Sequence, residues 1–221
     1  MGHTFSMFGG GNWGLPKKEG YEENNLQNLG QRKNVPTILF LPLLKNKEFK
    51  NKYALRFCDY VNGIFNIDRI DSLIDDYKDN YLDKLADGKM RWKGSQYANQ
   101  QEAYANCKND FSKGFDDIRK FFANRPQYAL QHMKQYLQLD GELQDITIVK
   151  KGEGKIKINS ITPDFKDGKW SGQYFSSIPI TITAIPSNNS KFKGWSGDSS
   201  STEETITLEL NKALEITAEF E

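Results

Sequence analysis

The hydrophobic period of this chain changes once, at Asp140-Gly141, and that change limits what the chain can become. Before it, apolar residues recur at steps of three and four, the spacing of one face of an α-helix. After it they alternate with polar residues, the spacing of a half-buried strand. A helix-period pattern does not sit still as a strand, nor an alternating one as a helix, so the chain reads as a helical part followed by a β part. The expected class is α+β by segregated domains: a helical segment, then a small all-β unit of β-sandwich or β-grasp-like form. The 221 residues suffice for two such domains. The expected stretches are a glycine-rich loop over 1–35, a helical part over 36–141 and a β module over 142–221.

In the first stretch Gly9-Gly10-Gly11, Gly14, Pro16, Gly20 and Gly30 interrupt a polar sequence with no sustained period. A helical period sets in at Thr37. Phe49, Tyr53, Phe57 and Val61/Ile64 share one face, Asn46 stands where an N-cap belongs, and Gly63 marks the end. Glu48 lies in the first turn, where the helix dipole favours negative charge. Asn66 is the next cap, succeeded by a stripe of Ile67, Ile70, Ile74, Tyr77 and Tyr81; Gly88 and Gly94 then bracket a turn holding Trp92. A third helix is expected from Gln96 to Ala123, with Cys107, Phe111, Phe115, Ile118 and Phe122 inward. Arg125-Pro126 should break it, because a residue before proline disfavours the helical conformation, and Pro126 should open a fourth helix through Met133 and Leu137.

Past Gly141, five short strands are expected at Ile146/Ile148, Ile156/Ile158, Ile178–Ala184, Ile206–Leu210 and Leu214–Phe220. There is room for one more at Lys169–Phe175.

Composition narrows the function. Hydrophobic residues make up 37% of the chain and aromatic residues 13%, so the cores must lean on Phe, Tyr and Trp. A net charge of +1 provides no field to recruit nucleic acid. Up to Gly141 there are 21 basic residues against 17 acidic, and after it 9 against 12, as for two independently composed units. No stretch approaches the roughly 20 apolar residues of a membrane-spanning helix. The longest, around Val35–Leu44, contains two prolines, and no membrane insertion is expected.

Candidate residues for chemistry are few. Cys58 and Cys107, with His3 and His132, have no metal-ligand spacing; buried free thiols are expected, or one disulfide if the protein is exported. Gly9-Gly10-Gly11 lacks the lysine and spacing of a phosphate loop. Asp75-Asp76 and Asp116-Asp117 are neighbours on helices, pointing roughly 100° apart, and read as solvated faces. His132 reads as a surface or partly packed histidine, while His3 is weighed as a remnant of a functional loop. Trp170 and Trp195 are placed in the core in preference to a sugar-stacking pair, and Arg91-Trp92-Lys93 is too short a step to carry an argument.

Three ordered landmarks add a resemblance: Leu39–Asp75 (LFLPLLKNKEFKNKYALRFCDYVNGIFNIDRIDSLID), Met90–Gly94 (MRWKG) and Ile118–Leu139 (IRKFFANRPQYALQHMKQYLQL). Together they resemble the C-terminal part of the spore coat protein H (CotH) kinase-like family, over about residues 1–140. Asn62 and Phe65 fill its Asn-x-x-Phe step, and Phe121, Arg125 and Pro126 its Phe-x-x-x-Arg-Pro step. The resemblance implies the helical lower lobe of an atypical kinase-like fold. It further implies a parent protein that uses ATP and a divalent metal to phosphorylate Ser or Thr on coat or surface proteins. Thr4–Gly10 (TFSMFGG) resembles the aromatic–glycine stretch just after the family's metal-binding aspartate, so Met1 is expected to lie inside a longer protein. The nucleotide-binding lobe would lie upstream as the partner of this part. No catalytic or metal-binding role carries over to any position of this chain, its cofactor-binding residues stay unassigned, and the chain alone is expected to be inactive.

The tail resembles a divergent internalin-B-type repeat through Gly152–Ile158, Gly172–Phe175, Pro179–Pro186, Lys191–Asp198 and Ile216–Glu221. That implies an extracellular, cell-surface or spore-coat setting and a spacer or adhesive role. The alternative is a non-enzymatic surface or scaffold protein whose modules only bind or space. If the period change is a junction, limited proteolysis near Asp140–Gln144 will leave a protected β fragment of about 8 kDa on a denaturing gel. Cleavage scattered through both parts would refute the junction.

Overall fold

The computed structural model describes residues 20–24, 26, 35–93 and 100–221. Most of the loop expected over 1–35, with Gly94, lies outside the described residues. The chain forms two compact units, one from Met1–Leu26 with Phe65–Ala129, the other from Gln27–Ile64 with Leu130–Glu221.

Two long helices dominate the first unit: α3 (Ile67–Lys93) and α4 (Gln100–Leu137), the latter belonging to this unit up to Ala129. Asn66 caps α3 as expected, its Oδ1 accepting from the Asp68 N–H at 2.9 Å. Ile70, Ile74, Ala86, Ala103, Cys107 and Phe121 are buried. Three expectations fail here. The turn at Gly88 and Trp92 does not form; α3 runs through both residues to Lys93. Strong helix formers on either side outweigh the roughly 1 kcal/mol that one glycine costs a helix. The break at Arg125-Pro126 does not form either, and α4 carries Pro126 in its interior. Proline removes one helical hydrogen bond, a local cost that the buried residues Phe121, Arg125 and Ala129 around it offset. Finally, the outer stripe of α3 is open: Tyr77 is 53% and Tyr81 45% exposed.

The second unit opens with α1 (Val35–Leu43) and α2 (Lys47–Asp59), α1 holding Pro42 inside it. Asn46 Oδ1 accepts from the Phe49 N–H at 2.9 Å, the cap expected from sequence. Phe40 packs edge-on to Tyr53, with ring centroids 4.9 Å apart. A π-helical turn, Tyr60–Ile64, continues α2, and Gly63 lies within it. Phe57 and Val61 are buried as the period predicts, but so are Ala54, Cys58 and Asp59, whereas Ile64 is exposed. The end of α4 belongs here too, and Lys50 Nζ donates to the Leu137 carbonyl at 3.2 Å, satisfying a C-terminal acceptor.

Seven strands complete this unit: β1 (Leu143–Lys151), β2 (Gly154–Ile158), β3 (Lys169–Phe175), β4 (Ile180–Pro186), β5 (Phe192–Gly197), β6 (Thr205–Leu208) and β7 (Leu214–Phe220). They form two sheets, ordered β3-β1-β7-β5 and β2-β4-β6. β1 pairs antiparallel with β3 and parallel with β7, joining the start of the module to its end. The strand allowed for at Lys169–Phe175 forms; β5 is an addition, bulged between Phe192 and Gly194 and therefore without clean alternation. Ile146, Ile148, Ile156, Ile158, Ile180, Ile182, Leu210 and Ile216 have essentially no exposure. A helical region followed by a β module is thus the fold class. Secondary structure changes where the period does, between Leu137 and Leu143, while compactness groups α1 and α2 with the strands.

Trp195 is buried, donates its indole N–H to the Glu203 carbonyl at 2.9 Å and packs against Phe192. Replacing it with Ala will cost about 3–5 kcal/mol of stability, read from the urea midpoint of the β-sheet circular dichroism. A loss below about 1 kcal/mol would remove Trp195 from the core.

Candidate functional site

Within the second unit, the most concentrated polar chemistry sits where α2 passes into its π turn. Asp59, the last α2 residue, has no exposed surface. A carboxylate taken out of water costs several kcal/mol unless donors replace the lost solvent. Four do. Oδ1 accepts from the Tyr174 hydroxyl at 2.8 Å and from Asn159 Nδ2 at 3.1 Å. Oδ2 accepts from the Ser160 N–H at 3.0 Å and from the Ser160 hydroxyl. Every donor comes from the β module, none from the helix that carries Asp59.

One turn later, the Asn62 side chain pairs with the backbone of β3. Its Nδ2 donates to the Gln173 carbonyl at 2.8 Å and its Oδ1 accepts from the Gln173 N–H at 3.1 Å. β3 is an edge strand, so this amide satisfies groups that a neighbouring strand would otherwise satisfy. Gly172 makes the approach possible, because any Cβ there would collide with the Trp170 ring and crowd Asn62. π turns often interrupt helices at positions with a role beyond packing. Burial, and next the Asp59 charge, push the Cys58 thiol well above its ordinary range. Burial, followed by the charge and hydrogen bond of Asp59, raises the Tyr174 phenol well above the usual value. Both groups are therefore held neutral, and with Asp59 saturated by donors the cluster binds and orients; it has no free base and no thiolate nucleophile.

The first unit has its own polar centre at Arg125, the arginine of the Phe-x-x-x-Arg-Pro step. It is buried, and its Nη1 donates to the Tyr21 carbonyl at 2.6 Å and the Glu23 carbonyl at 2.8 Å. These acceptors belong to the 3₁₀ turn Gly20–Glu22 and the residue after it. The Tyr128 hydroxyl adds a bond to Glu22 at 3.2 Å, and the Tyr21 and Tyr128 rings lie 5.8 Å apart. Burial pulls the guanidinium down to about 10, which still leaves it cationic at neutral pH. It therefore clamps the turn by charge-assisted bonds to backbone.

The residues singled out from sequence fall elsewhere. His3, Gly9-Gly10-Gly11 and Thr4–Gly10 lie outside the described residues. Asp75 and Asp116 join Asp71 around the exposed side of Arg119, while Asp76 and Asp117 are exposed. His132 is half-buried on α4, and Trp170 and Trp195 are both buried, which argues for core and against a stacking platform. Cys58 and Cys107 are free buried thiols. Asp59 is not singled out by the sequence, because it stands two residues from both Phe57 and Val61 and so on the side of the helix opposite the face that the period buries. Asn62 and Arg125 are visible there as landmarks without a role.

A divalent metal does not fit the described residues. Among the described residues no group of three or more His, Cys, Asp or Glu could hold a metal ion. The nearest convergence of carboxylates surrounds a guanidinium, and the buried carboxylate has its donors already.

With this geometry in place, comparison with known proteins gives two family matches. A model described as CotH kinase protein matches residues 10–129, and one described as divergent InlB B-repeat domain matches residues 146–221. No curated protein and no solved structure matches the chain.

Because the Tyr174 phenol is raised above 10.0, its contribution is constant below that pH, where folded and unfolded chains both keep the proton. Above it the unfolded chain releases the proton first, so stability falls as pH rises toward the folded value. The urea midpoint of the wild type will fall more steeply than that of Tyr174→Phe between about pH 9 and 11. Parallel declines would show that the phenol proton is not held by the fold.

Proposed function

We propose, on the premise that this chain belongs to the CotH kinase protein family, that it acts at the cell surface or spore coat as the helical base of an exported CotH-type kinase-like protein. The family match together with the InlB-type repeat marks a surface or coat protein. Our reading goes further: the parent phosphorylates Ser or Thr on coat or surface proteins with ATP and a divalent metal, and residues 20–221 support that chemistry without performing it. The nucleotide-binding lobe that the resemblance places upstream is then the partner of this base. Among the described residues no helix is long and apolar enough to cross a membrane.

The Arg125 clamp carries this reading. Its two bonds fasten Tyr21 and Glu23, the segment just after the glycine-rich stretch resembling the family's site, onto α4. A buried guanidinium at this step of the helix gives the base charge-assisted bonds to the backbone of that segment. Phosphoryl transfer needs a metal-holding carboxylate and cations on the phosphates. In the described residues the buried carboxylate and the buried guanidinium are both committed to holding structure.

Isothermal titration of the 221-residue chain with ATP and magnesium or manganese will show no binding tighter than about millimolar. Micromolar, metal-dependent binding, or autophosphorylation of the purified chain, would overturn the supporting role.

A further inference from the structure

We infer that the surface formed by Asp59 and Asn62 at the end of α2 is a receptor for one kind of partner, the edge of one β-sheet carrying a tyrosine together with a serine turn that leaves the other sheet, and that the InlB-type repeat is therefore a fixed brace and not a tethered spacer. All the groups involved lie within one compact unit.

Three observations carry this. Asp59 draws all four of its donors from Asn159, Ser160 and Tyr174, so without the repeat it would keep none of these bonds, beside the apolar Phe57, Cys58 and Val61. Asn62 reads β3 through main-chain groups and so recognises an open strand edge that has a glycine beside the paired residue. Close approach is built in from both sides. Gly172 leaves room for Asn62 on the repeat, and a Cβ on Gly63 of the π turn would lie 3.0 Å from Ile161 Cδ1. A module hung on a flexible linker for reach alone requires none of these matched features. The recognition divides in two: the Asn62 amide pairs with the main chain of a strand edge relieved by glycine, while the Asp59 carboxylate demands hydroxyl and amide donors at fixed places.

The test inserts a specific protease site after Asp140 in the full chain, cleaves it, and measures whether the two fragments stay together by gel filtration at micromolar concentration. The expected result is co-elution, and an apparent Kd at least about tenfold weaker in Tyr174→Phe, which removes one hydroxyl bonded to a charge. Asp59→Ala with Asn62→Ala will release a β fragment whose Trp170 and Trp195 fluorescence is that of the folded module. Should that double variant fail to fold, Tyr174→Phe alone decides. Wild-type fragments that separate while the β fragment stays folded, or a Kd unchanged by Tyr174→Phe, would overturn the inference.

Discussion

A carboxylate with no exposure to water, Asp59, is the constraint around which the second unit is organised. Burying such a group is tolerable only if donors arrive with it, and the β module delivers four. The helix that carries Asp59 and the strands that satisfy it thus depend on each other. Removing either side leaves a charge or a set of hydroxyls without partners, which costs more than the bonds themselves are worth when formed. The neutral Cys58 thiol and Tyr174 phenol on either side result from the same desolvated environment.

Arg125 plays the corresponding part in the first unit with the opposite charge. Its partners are backbone carbonyls, so it holds the course of the chain at Tyr21 and Glu23 whatever side chains stand there. The partly exposed Arg119 cluster with Asp71, Asp75 and Asp116 contrasts with it. Solvent screens those pairs, and they add little to stability beyond setting how α3 and α4 face each other. Both buried charges therefore act as fasteners.

Asn46 and Asn66 were legible as caps because capping is local, a side chain bonding to N–H groups two or three residues on. The alternation of Ile146/Ile148 and Ile156/Ile158 was legible because a strand with one buried face leaves its period in the sequence. Gly88 and Pro126 misled for the same local reason. Their propensities are real, but each costs a helix a bounded amount that buried neighbours can exceed. β5 was hidden by its bulge, which disrupts the period that would have announced it.

The sequence by itself determined that helices come first and strands after, where the change lies, and that the chain belongs to the CotH kinase protein family. These are properties of spacing and of ordered landmarks, and need no knowledge of what touches what. Only the tertiary structure decided that α2 is grouped with the β module, that Asp59 is the group joining them, and that Asn62 closes the edge of β3. Those outcomes rest on bonds between residues about a hundred positions apart, from Asp59 to Asn159, Ser160 and Tyr174. A buried charge reads in sequence like any surface aspartate until its donors are brought to it.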